Sequence, residues 1–189
     1  NGDDLRPYHP GYYSFLREDD KEAADLTQSV CNFWVEALIN RCIEMGLNMI
    51  IEGTMRTKDV PLKTARILKE AGYSTDLVVV SAPYELSLLS LEYRYSEVKK
   101  MGGFARFTKK SSHDEAYKNI NETLTSLSGD SLFSKFRVYE RTPQGFKENI
   151  FSPGEADKMM EVFNAGRERK LEDKERDPSH YLGIEMKGS

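Results

Sequence analysis

The 189 residues carry 27 Lys and Arg against 31 Asp and Glu, a formal net charge of −4, with 39% hydrophobic and 31% charged residues. That balance suits one soluble globular domain and gives no electrostatic reason for a nucleic-acid or membrane partner. No apolar run approaches the roughly 20 residues of a membrane-spanning helix. Cys31 and Cys42 would lie about 16 Å apart along a helix, too far for a disulfide, and reduced thiols fit a cytoplasm.

The chain opens on Asn1-Gly2-Asp3-Asp4-Leu5-Arg6, read as the acid-rich exit of a strand. Residues 7–13, with Pro7 and Pro10, read as a loop. A long helix is predicted over about 20–45, with Val30, Trp34, Ala37, Leu38, Cys42 and Met45 as its buried stripe and Gly46 as its stop. Residues 47–51 read as a short buried strand, leaving through a second acidic exit, Glu52-Gly53-Thr54-Met55-Arg56. Asp59 is the predicted N-cap of a helix that reaches Ala71-Gly72. Residues 76–82 form a second buried, β-branched strand, and a helix follows from Pro83 to about Lys100. Residues 101–110 read as a flexible cationic loop. Ser112 and Glu115 make a capping-box pattern for a helix to about Leu127. Residues 135–141 and 146–151 are strands around Thr142-Pro143-Gln144-Gly145, a turn signal. Ser152-Pro153-Gly154-Glu155 caps a last helix, which fades into a solvated charge run over 172–177. The division this suggests is a domain over 1–171 and a charged tail over 172–189.

Alternating strands and helices predict an α/β fold with a mostly parallel sheet flanked by helices. Ligands of such sheets bind beyond the carboxyl ends of the strands. Asp3 and Glu52 are therefore expected close together at that edge, with Thr54 and Arg56 lining the same cleft. The strands near Ile50 and Val79 are apolar on both faces, so both are expected to be covered and flanked. A central strand from residues before Gly2 is the expected neighbour.

Phosphoryl transfer needs a phosphate cradle, metal donors, an oriented nucleophile with a base, and cations for the moving group. Asp3 and Glu52 supply acids, Thr54 a hydroxyl, and Arg56, Arg94 and Arg106 cations. No Gly-x-x-x-x-Gly-Lys-Ser/Thr cradle occurs; Gly102-Gly103 continues as Phe104-Ala105-Arg106.

These blocks resemble the zeta toxin family, P-loop kinases of bacterial toxin–antitoxin systems. The likeness rests on Gly2-Asp3-Asp4-Leu5-Arg6 with His9-Pro10, the block from Asn48 to Arg56, and Asp59-Val60-Pro61 with Thr64-Ala65. It continues through Leu91-Glu92-Tyr93-Arg94-Tyr95 and Ala105-Arg106-Phe107-Thr108 with His113-Asp114. It covers about residues 1–139. The resemblance implies a P-loop NTPase-like kinase fold whose N-terminal strand and phosphate loop are absent from these residues. It implies ATP and Mg2+ as cofactors and UDP-N-acetylglucosamine as substrate, phosphorylated on the amino sugar's 3′-hydroxyl. It also implies a toxic effect on cell-wall precursor supply, a cognate antitoxin and the missing N-terminal segment as partners, a bacterial cytoplasmic location, and an inactive chain when taken alone. Asp3 then resembles the general base. Glu36, Thr54, Arg56 and Thr64 resemble substrate-binding positions, and Glu52 an acid in the outer shell of the metal. Arg94 and Arg106 resemble the arginines that stabilise the transferring group, with the segment between them one residue shorter than the family pattern.

Plainer readings stand beside these. Asp4 rivals Asp3. Glu36 shares a solvated stripe with Ser29, Asn32 and Asn40. Arg94 has Glu92 and Glu97 as helix-face partners. Arg106 stands in a basic loop, expected to be displaced without nucleotide. His9, His113 and His180 show no metal-ligand spacing; His113 reads as a helix-start residue and Trp34 as core. Another P-loop phosphotransferase and a truncated, antitoxin-binding remnant remain the alternative functions.

Overall fold

The computed structural model describes residues 1–129 and 131–177; His180 and the 178–189 part of the predicted tail lie outside them. In chain order the elements are α1 (Tyr12–Glu18), α2 (Ala23–Glu44), α3 (Asp59–Glu70), β1 (Asp76–Ser81), α4 (Tyr84–Lys100), α5 (Lys110–Ser128), β2 (Lys135–Thr142), β3 (Gly145–Phe151) and α6 (Ala156–Glu168). Short 3-10 turns occupy Asp3–Tyr8, Pro153–Glu155 and Asp173–Arg176. The chain divides into two compact units, Asn1–Thr54 with Arg94–Asp114, and Met55–Tyr93 with Glu115–Ser189.

In the first unit Asp3 and Asp4 sit not on a strand exit but in a 3-10 turn. The predicted loop contains the start of α1, whose Tyr12 and Leu16 pack with Ala23 of α2. The side of α2 that packs is Ala23, Thr27 and Cys31, because α1 and the 3-10 turn lie against its N-terminal half. The predicted stripe is therefore largely uncovered: Leu38 and Met45 are exposed, Ala37 with them, while Val30, Trp34 and Cys42 are partly buried. Residues 47–51 form no strand, and Ile50 is 88% exposed. A strand needs a hydrogen-bonded neighbour, and none of the described residues supplies one. Both cysteines are free thiols, and burial pushes that of Cys31 up.

The second unit holds the sheet, in the order β1-β2-β3. β1 runs parallel to β2, as predicted, while β2 and β3 form an antiparallel hairpin. The hairpin turns at Gly145, whose φ of +123° a side chain would oppose. Leu77, Val79, Phe136 and Val138 point to one face, where they meet Leu124 and Leu127 of α5 and Met159 and Phe163 of α6. Alternation sends the next residues of each strand to the other face. There Val78 (48%), Val80 (55%), Phe146 (51%) and Ile150 (53%) are exposed. The expectation that β1 is covered on both faces and flanked on both edges is thus not met among the described residues.

Helix starts follow local chemistry with two shifts. Asp59 is the first helical residue of α3, after Lys58 as N-cap. α5 begins at Lys110, ahead of Ser112, because the Ser112 and His113 amides already bond to the Lys109 carbonyl. The Ser152–Glu155 box forms as predicted: the Ser152 amide and hydroxyl both donate to Glu155 Oε2. The 172–177 run is not wholly solvated, since Glu175 is fully buried.

α6 crosses β1 closely at Gly166. A Cβ there would lie 2.5 Å from Ser81 Oγ, a hydroxyl that donates to the Phe163 carbonyl. Gly166→Ala should therefore destabilise by about 1–3 kcal/mol through overpacking, outweighing the ~1 kcal/mol helix-propensity gain of alanine. Urea unfolding midpoints measure this; a stabilised variant would contradict the close approach.

Candidate functional site

The 3-10 turn of the first unit presents Asp3, with its side chain 31% exposed. Arg6, one turn later, is buried at 2% exposure, and its Nε donates to Asp3 Oδ1 at 2.8 Å. The second oxygen, Oδ2, meets Arg106 Nη1 at 2.7 Å. One carboxylate is thus gripped by two guanidinium groups from distant parts of the chain. The Asp3 amide donates to Asn1 Oδ1, and Asn1 Nδ2 donates to Glu52 Oε2 at 2.8 Å. Asn1 therefore ties the two predicted acids together, although neither stands at the end of a strand.

Arg106 comes from the loop between α4 and α5. Burial pushes its pKa down first of all; Asp3 pulls it up, and the charges of Arg6 and Arg94 push it down again. It remains a cation, because a guanidinium starts far above neutral pH. Arg94, on α4, is exposed and makes no ion pair among the described residues; Glu97 pairs instead with Lys100. Arg6 and Arg106 thus place two cations on one Asp3 carboxylate, and the charge of Arg94 reaches Arg106.

The loop that the sequence leaves flexible is anchored at several points. Phe104 meets Tyr13 edge-on and Phe107 meets Tyr95. Asp20 accepts from Tyr95 and Lys99, which lowers its pKa, chiefly through the Lys99 bond. Lys109 pairs with Glu22 and Asp25, and the Asp25 bond is the largest cause of its raised pKa. Tyr12 stands in the same neighbourhood; burial raises its phenol, and Arg6, Asp3 and Arg106 all act on it.

Glu36 lies exposed on α2, two turns beyond Gln28, which binds Arg6. Thr54 is exposed at the end of the first unit. Arg56 and Thr64 belong to the second. Arg56 pairs with Glu115 at 3.6 Å, and Asn119 donates to its carbonyl. Thr64 donates its hydroxyl to the Val60 carbonyl within α3. Between Thr54 and Arg56, Met55 adopts φ +51°, uncommon for a residue with a side chain and concentrated at functional sites. His9 accepts from the Gly11 amide, and buried His113 lies on α5 beside Asp114. Among the described residues no three His, Cys, Asp or Glu side chains group as metal ligands. None of the described helices is long and apolar enough to cross a membrane.

The sequence model of the zeta toxin family matches residues 1–149. The chain belongs to the zeta toxin family. It is 34% identical to Toxin PezT of Streptococcus pneumoniae over 167 residues, which is 86% of this chain and 65% of that protein. It is 32% identical to Toxin zeta of Enterococcus hirae over 180 residues, 95% of this chain and 62% of that protein. The chain therefore spans less than two thirds of the length of these relatives. A solved structure from the PezAT chromosomal toxin–antitoxin system of Streptococcus pneumoniae superposes with a TM-score of 0.68 at 26% identity, covering 94% of this chain and 69% of that one. The zeta toxin match includes Asp3, Arg6, Glu52, Arg94 and Arg106. Sequence reasoning missed the grip of Arg6. Its only signal is the Asp-x-x-Arg spacing, which on a turn brings the two side chains together.

Proposed function

We propose that this zeta toxin chain carries the acceptor-activating side of an ATP-dependent kinase. Its acceptor is the 3′-hydroxyl of the amino sugar of UDP-N-acetylglucosamine, and its effect is to starve cell-wall synthesis in a bacterial cytoplasm. The observation that carries the reading is the Asp3 carboxylate, held by Arg6 on Oδ1 and faced by Arg106 on Oδ2. A base must be oriented, and these two contacts fix which carboxylate oxygen faces which cation.

Asp3 takes the proton of the acceptor hydroxyl on Oδ2. Arg106 must leave that oxygen for the transferring group, where a planar guanidinium fits phosphoryl oxygens. Arg94, exposed and without an ion pair among the described residues, is the second cation. Glu36, Thr54, Arg56 and Thr64 are the proposed sugar-nucleotide contacts. Glu52 offers a carboxylate of the hard-oxygen kind that Mg2+ takes, directly or through water. ATP supplies the phosphoryl group, and Mg2+ neutralises charge on its phosphates. None of these 189 residues has the glycine–lysine pattern of a phosphate cradle; the proposal places that loop outside them. A fold with a further strand beside β1 agrees with its place at the edge of the sheet among the described residues. The PezAT likeness supports a cognate antitoxin as partner.

The test is a substrate panel: ATP with UDP-N-acetylglucosamine, nucleosides and aminoglycosides, assayed on the full-length protein. Phosphorylation of the sugar nucleotide alone supports the reading. Transfer to another acceptor makes the chain part of a different phosphotransferase, and antitoxin binding without any transfer makes it a non-catalytic remnant. A sharper expectation concerns Arg106→Ala. It should lower kcat by about 10²–10³-fold, as loss of a transition-state donor does, with a much smaller change in sugar-nucleotide affinity. Equal losses in both would make Arg106 a ground-state clamp.

A further inference from the structure

Arg6 neither moves a proton nor meets the transferring group in the proposed chemistry, yet it is among the most buried side chains of the protein. Its Nη1 donates to the Ala24 carbonyl at 2.5 Å and to Thr27 Oγ1 at 2.7 Å, and its Nη2 to Gln28 Oε1 at 2.7 Å. All three acceptors lie on the first turns of α2. Thr27 is itself fully buried and donates to the Ala23 carbonyl. A guanidinium is a rigid planar fork of five donors. Pinning both Nη atoms on α2 therefore fixes the direction of Nε, and Nε holds Asp3 Oδ1.

The two oxygens of Asp3 are consequently unequal. Oδ1 is committed to a buried donor locked on a helix. Oδ2 meets Arg106, whose side chain is 35% exposed and comes from a loop. We propose that Arg6 is a positioning residue. It holds the Asp3 side chain with Oδ1 tied down and Oδ2 presented to the acceptor hydroxyl, so that turnover depends on α2 through a chain of contacts running from Thr27 and Gln28 through Arg6 to Asp3. The inference rests on the reading of Asp3 as the base. A purely structural Arg6 would join the 3-10 turn to α2 and nothing more.

Steady-state kinetics on the full-length protein separate the two roles. Arg6→Lys and Thr27→Val are each made alone and on an Asp3→Asn background, with thermal midpoints recorded for every variant. Lysine keeps the charge, but its three donors share one compact nitrogen and cannot span Asp3 and the three acceptors of α2 together. Arg6→Lys should lower kcat about 10- to 100-fold, the scale of a misplaced catalytic group, with KM for the sugar nucleotide nearly unchanged. Thr27→Val removes one anchor while keeping the shape, and should lower kcat in the same sense by less. On the Asp3→Asn background neither substitution should cost anything further. Folded variants with lowered midpoints but undiminished kcat would overturn the positioning role, as would an equal loss on the Asp3→Asn background. If Arg6→Lys does not fold, Thr27→Val carries the decision. Near-normal turnover in Asp3→Asn removes both the base reading and this inference. An inactive Asp3→Asn beside a fully active Arg6→Lys removes this inference alone.

Discussion

Asp3→Ala in the full-length protein should abolish most sugar-nucleotide phosphorylation, lowering kcat by about 10²–10⁴-fold, the usual range for a positioned base, while ATP binding persists. Two features of the structure shape that experiment. Alanine leaves the buried Arg6 without its carboxylate, and breaking such a pair is destabilising in its own right. Asp3→Asn is therefore the companion variant, because its amide oxygen can still accept from Arg6 Nε while no longer taking a proton. Asp4 is the control: it stands next in the turn, exposed, and Asp4→Ala should leave turnover near normal. Isothermal titration with a non-hydrolysable nucleotide checks that binding survives. If Asp3 variants turn over normally and Asp4→Ala does not, the base is Asp4 and the grip of Arg6 and Arg106 on Asp3 is structural.

What could be read from the sequence divides along physical lines. In the second unit, β1, the β2–β3 hairpin, α3 and α6 follow from signals carried within a few residues: β-branched runs, Thr142-Pro143-Gln144-Gly145, and the Ser152–Glu155 box. In the first unit the decisive partners are remote in sequence or not found among the described residues. Residues 47–51 have strand composition, but strand character depends on a paired neighbour, and Ile50 stands in solvent. The apolar residues of α2 have helical spacing, yet only contact with α1 and the 3-10 turn selects Ala23, Thr27 and Cys31 as the packed side. The site shows the same split. Asp3, Glu52, Arg94 and Arg106 were nameable from residue type and family likeness. That Arg106 meets Asp3, and that Asn1 joins Asp3 to Glu52, depends on the fold around them. The strained Met55 backbone and the burial of Arg6 leave no mark in composition: an Asp-x-x-Arg pair usually stands in water.

The largest stability effect is expected in the second unit, at Glu175. Its side chain is fully buried, and both carboxylate oxygens meet Arg169 at 2.6 Å. It also accepts from the Glu172 amide, closing the turn that follows α6. Arg169 in turn donates to the Arg141 carbonyl at the end of β2, so the pair fastens the chain after α6 to the sheet. A second, exposed pair, Arg176 with Glu85, adds little by comparison. Glu175→Ala removes the anion and leaves a largely buried guanidinium uncompensated, which costs about 3–5 kcal/mol. Glu175→Gln keeps one acceptor for the fork and should cost less. Replacing both partners, as Arg169→Met with Glu175→Leu, should recover much of the loss, because a buried ion pair exchanged for apolar groups is often near neutral. Denaturant unfolding of the four proteins measures the series. An alanine variant within experimental error of the parent would mean that residues 172–177 behave as the solvated run their composition suggests.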